Sequence, residues 1–131
     1  MKNNYTLIFV YNEETDVFST VSGYLHKMFS PQTYHCNLCK ITHHNFGMKK
    51  EWKSFVQQLP FKLEFLNKDQ FLQRYKNSIT EFPAILLKEK HRLHLIAAAF
   101  EINVQKSTSD LKRLLLSKLS IYDKRDYSNI Q

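Results

Sequence analysis

The chain has 131 residues, 43% of them hydrophobic and 14% aromatic, the size of one domain with apolar surface enough to fold without disulfide staples. Only two glycines, Gly23 and Gly47, occur in it; a phosphate-cradling loop needs two or three within a few residues, so a Walker A loop and a dinucleotide-binding GxGxxG are excluded. Nineteen Lys and Arg against twelve Asp and Glu give a formal net charge of +7, but bases and acids are interspersed, so charge alone names no partner.

The first apolar run, Tyr5 to Tyr11, has strand length and no alternation, which predicts a central strand buried on both faces. It is too short for a signal-peptide core or a membrane span, so a cytoplasmic protein with no membrane association is expected. Thr15 or Asp16 then caps a helix over residues 15 to 29, with Val17, Phe18, Val21, Leu25, Met28 and Phe29 on one stripe. Ser30 and Pro31 end it, and a segment bearing Cys36 and Cys39 follows.

Met48, Trp52, Phe55, Val56 and Leu59 restore the helical period up to Pro60. Phe61, Leu63 and Phe65 alternate with Lys62 and Glu64, the mark of a half-buried strand over 61 to 66. Asn67 caps a short helix carrying Phe71, Leu72 and Tyr75. Two strands, 84 to 87 and 93 to 100, flank the charged tip Lys88 to Arg92, a spacing that suits an antiparallel hairpin. A last helix starts near Ser107 to Asp110 and buries Leu111, Leu114, Leu115 and Leu119. Residues 1 to 122 read as a single domain and 123 to 131 as a frayed tail.

The order β, α, cysteine segment, α, β, α, β, β, α predicts an α/β fold, a mixed sheet flanked by helices. With Cys36-Asn37-Leu38-Cys39 upstream and Phe82-Pro83-Ala84-Ile85-Leu86-Leu87 entering the hairpin, the chain resembles the thioredoxin-like superfamily, with an extra helix between the first strand and the CxxC. Members of that family place a CxxC at a helix N-terminus and a cis-proline beside it, just before the hairpin strand. The resemblance implies those roles for Cys36, Cys39 and Pro83, with Cys36 facing solvent. It further implies thiol–disulfide exchange with a protein or small-molecule thiol or disulfide, and no cofactor. A strand ending in FVYN and the YxCxLCxxT segment from Tyr34 to Thr42 also make the chain similar to a group of small bacterial proteins.

A CxxC performs dithiol chemistry because the first thiolate attacks a disulfide and the second resolves the mixed disulfide without diffusing. A helix N-terminus and nearby cations lower the first thiol's pKa from about 8.5 toward about 7. His35, Lys40, His43 and His44 supply such charge when protonated, and residues 32 to 47 contain no acid. The alternative is a non-catalytic binding module whose Cys/His segment is a structural zinc site. Cys36, Cys39, His43 and His44 offer two soft thiolates and imidazole within nine residues. Adjacent histidines point different ways, so His26 or His35 would then complete the shell. His91 and His94 read as surface residues, and Trp52, Phe55 and Leu59 as core. Lys49, Lys50 and Lys53, and Lys88, Lys90 and Arg92, could touch phosphates, but Glu51 and Glu89 interrupt both groups. Nucleic acid is therefore not the expected partner.

Overall fold

The computed structural model describes residues 4–12, 36–44, 47–76 and 79–122. The helix expected over 15 to 29, His26, His35 and the tail from 123 lie outside them. Tyr5–Tyr11 forms β1, Asn37–Thr42 forms α1, and the two-residue strands His43–His44 (β2) and Gly47–Met48 (β3) make a small hairpin. There follow α2 (Lys50–Gln57), β4 (Lys62–Asn67), α3 (Lys68–Arg74), β5 (Ala84–Glu89), β6 (Arg92–Ala97), α4 (Ala99–Asn103) and α5 (Thr108–Leu119).

Four strands join in the order β4-β1-β5-β6. β1 runs parallel to β4, Tyr11 lying opposite Asn67, and antiparallel to β5, Val10 lying opposite Ala84. β5 and β6 form the expected antiparallel hairpin. The sheet is thus the mixed α/β sheet read from the element order, with β1 central. Its lack of alternation has the predicted cause: Leu7, Phe9 and Tyr11 enter one core with Trp52, Phe55, Leu111 and Leu115, while Ile8 and Val10 enter a second with Leu66, Phe71 and Leu86. Period-2 side chains need apolar residues at every position when helices cover both faces. α2 and α5 bury their stripes in the first core, and α3 buries Phe71 in the second.

The capping chemistry fixes several boundaries. Asn67 accepts the Gln70 N–H at 2.7 Å, and the Gln70 side chain accepts the Asn67 N–H at 3.0 Å, a reciprocal cap that starts α3 as expected. Ser107 caps α5 by accepting the Asp110 N–H. The strand expected over 93 to 100 stops at Ala97. The carboxylate of Glu101 accepts the Ala98 N–H at 2.9 Å and turns the chain into α4, which buries Ile102. The other strand of the hairpin is longer than its apolar run, continuing through Lys88 and Glu89 before a tip at Lys90 and His91, where Lys90 takes φ 56°. No helix among the described residues is long and apolar enough to cross a membrane.

Candidate functional site

Cys36 lies 24 residues beyond Asn12 in sequence, yet the Asn12 backbone N–H donates to its Sγ at 3.4 Å. The first cysteine therefore sits at the carboxyl end of β1, the residue immediately before α1. In an open sheet of this kind the space beyond the carboxyl ends of parallel strands is where ligands and chemistry gather. Cys36 has extended φ/ψ and its carbonyl accepts the Lys40 N–H at 3.1 Å, so it is the N-cap of α1. Cys39 stands one turn further on, at a spacing where side chains share a face roughly 5–6 Å apart. Both are thiols.

Pro83 comes to the same place by another route. The Phe82–Pro83 bond is cis, as expected. The register that sets Ala84 opposite Val10 brings Pro83 to the level of Tyr11, one residue short of Asn12. Cys36 and Pro83 thus both lie toward the carboxyl end of β1.

Its exposure departs from expectation. Cys36 was to face solvent, but it is 1% exposed and Cys39 is 0% exposed. The cause is the packing of α1. Its buried residues Leu38, Cys39, Ile41 and Thr42 occupy most of its circumference, leaving Lys40 exposed and Asn37 half-buried. Asn37 Nδ2 donates to the Ile102 carbonyl at 2.8 Å and to the Gln105 carbonyl at 2.9 Å, and Thr108 Oγ1 donates to the Ile41 carbonyl. These three bonds hold α1 against the α4–α5 connection. A groove of about 810 Å³, lined in part by Asn37, Lys40, Lys49, Glu51, Lys106 and Thr108, runs along that seam.

Polar neighbours complete the site. Thr42 Oγ1 donates to the Leu38 carbonyl. It also lies 2.9 Å from His43 Nδ1, a hydrogen bond whose direction follows the histidine tautomer. The His43 ring packs edge-on against Tyr11, centroids 5.7 Å apart. Burial pushes the Tyr11 phenol well above its ordinary range, and the charges of Cys39 and, more weakly, Cys36 push it the same way, while hydrogen bonding with Thr42 opposes them. Tyr11 is therefore a neutral phenol beside the two sulfurs at any physiological pH.

His43 and His44 face opposite sides of β2: His43 is buried and His44 exposed. Among the described residues no three His, Cys, Asp or Glu side chains come together as a metal-holding group. A zinc shell around Cys36 and Cys39 would need ligands from outside those residues, where His26 and His35 lie.

Tyr11, Thr42 and Asn37 had no part in the sequence reading of the site. Tyr11 had a signal, as the polar-tipped end of an otherwise aliphatic strand. Asn37 had none, because its role depends on carbonyls 65 and 68 residues away; Thr42 bonds to neighbours in sequence and had only its place at the end of the YxCxLCxxT segment. Against family models, curated proteins and solved structures, the chain finds no match.

Proposed function

We propose that the chain is a thioredoxin-like domain whose Cys36 and Cys39 form a reversible dithiol/disulfide pair, acting on a protein or small-molecule disulfide. The observation that carries the reading is the position of Cys36. It caps a helix at the carboxyl end of the central strand, with its sulfur accepting a backbone N–H, at the level where Pro83 enters β5. The strand order β4-β1-β5-β6, with β1 and β4 parallel and the hairpin antiparallel, agrees with the family's arrangement. A reducing, cytoplasmic setting suits a pair held as thiols.

In this reading Cys36 Sγ attacks one sulfur of the substrate disulfide, forming a mixed disulfide and releasing one thiol. Cys39 Sγ then attacks Cys36 Sγ and releases the second thiol. The substrate gains the two electrons and two protons that the dithiol loses, and a thiol reductant restores the pair. Because Cys36 is 1% exposed, the first attack follows a local opening that brings its sulfur to solvent. The same burial favours a second reading, in which the domain is a binding module and the pair is structural.

Turnover of a chromogenic disulfide with a dithiol reductant separates the two. Cys36→Ser should abolish turnover, and Cys39→Ser should leave a mixed disulfide trapped on Cys36. Equal turnover in the wild type and both variants would leave the binding module standing.

A further inference from the structure

At the far end of the sheet from the cysteines, the hairpin tip and the C-terminal end of α3 enclose a cavity of about 300 Å³. It is lined by Arg74, Tyr75, Lys76, Lys88, Lys90, His91 and Leu93. Four of these seven side chains carry a permanent positive charge and none carries a negative one, although Glu89 interrupts the run in sequence. Two carboxylates among the described residues are engaged at its margin. Glu64 receives the Tyr75 hydroxyl at 2.7 Å and pairs with Arg74. Glu89 sits on the other face of β5 from Lys88 and contacts His94 at 3.2 Å.

The cluster is held in place by structure around it. Glu64 ties Arg74 and Tyr75 together, so the end of α3 presents a fixed ring and guanidinium. Lys88 Nζ lies 5.8 Å from the Tyr75 ring centroid, a cation–π distance that draws the ammonium over the cavity. Lys90 holds a left-handed turn conformation that a non-glycine residue adopts at some cost, and this turn sets its side chain at the rim. Lys76, Lys88 and Lys90 make no ion pair with any carboxylate among the described residues. Gathering like charges without counter-charge raises their mutual repulsion, and a bound anion relieves it.

We propose that this cavity binds the phosphate group of a small phosphorylated ligand. The volume lies at the lower end of ligand-sized cavities, room for a phosphate and a small bearer. Ammonium groups converging as point charges suit a tetrahedral anion of charge near −2, whereas the forked guanidinium that would select a carboxylate is already engaged by Glu64. The groove beside α1 is the weaker candidate for the same chemistry, since Glu51 lies among its three lysines. The proposal is independent of the thiol chemistry and of its test.

The experiment is a titration of the isotope-labelled full chain with pyrophosphate at low salt, followed by amide chemical shifts, with sodium chloride at matched ionic strength as control. Saturable shifts should centre on residues 74–76 and 88–91, with a dissociation constant below about 1 mM. The double variant Lys88→Gln/Lys90→Asn, in which Asn tolerates the left-handed turn, should bind about 100-fold more weakly, roughly tenfold for each lysine. Lys49→Gln/Lys106→Gln, in the other groove, should bind as the wild type does. Shifts that are absent, reproduced by chloride, or centred on Lys40, Lys49 and Lys106 would overturn the proposal. So would a short single-stranded oligonucleotide binding the same residues about 100-fold more tightly than pyrophosphate, because the occupant would then be a nucleic-acid backbone.

Discussion

Thr42 joins two neighbours through one hydroxyl. It donates to Leu38 and hydrogen-bonds with His43 Nδ1, both within the buried core. Thr42→Val keeps the shape and takes this partner from His43 Nδ1, so the chain should lose about 1–3 kcal/mol of stability, measured by urea unfolding. An unchanged midpoint would mean that His43 Nδ1 finds another partner. Glu101 makes a second prediction with a definite pH sign. Its hydrogen bond from Lys118 at 2.6 Å, aided by the Ala98 N–H, holds its carboxyl below the usual carboxylate range against the opposing effect of burial. A carboxyl whose pKa is lower folded than unfolded stabilises the fold above the unfolded value, and that contribution fades as pH falls through the folded one. Glu101→Gln should therefore cost about 1 kcal/mol at pH 7, combining a cap and a partly exposed ion pair. The difference from wild type should vanish once the pH is low enough to protonate the carboxyl; a deficit that persists in acid would show that charge is not its source.

The elements divide by how local their causes are. β1, α2, the β5–β6 hairpin and α5 were legible because an apolar run, a helical stripe or a two-sided turn is written within a few residues of itself. α3 was legible down to its cap, and Asn67→Ala should remove the reciprocal bond with Gln70 at a cost of about 1–2 kcal/mol, checked by thermal or urea unfolding. The first two residues of α4, Ala99 and Phe100, read as strand because Leu95 to Phe100 is continuously apolar, and periodicity cannot separate a strand that ends at Ala97 from one that continues. The deciding bond, from Ala98 to Glu101, involves a residue beyond that run. α1 is six residues long and was not resolved from its cysteine segment. What makes it a helix is contact with Ile102, Gln105 and Thr108, far along the chain.

For the molecule as a whole, the sequence carried the sheet's class and the identity of the cysteines and proline, but not their burial. Solvent exposure of Cys36 was inferred from a family pattern, whereas burial follows from how α1 is clamped between the end of β1 and the α4–α5 connection. That clamp makes a kinetic prediction: in native buffer both thiols should react with an alkylating reagent far more slowly than in urea. The most direct test of the central claim is equilibrium itself. The full chain is equilibrated in glutathione buffers from reducing to oxidising, quenched with acid, alkylated and weighed by mass spectrometry. The account predicts that the two labels on Cys36 and Cys39 disappear together in one step, with loss of two hydrogens, and return on reduction while the fold is retained. Two labels at every buffer composition, or glutathione adducts with no internal disulfide, would contradict it.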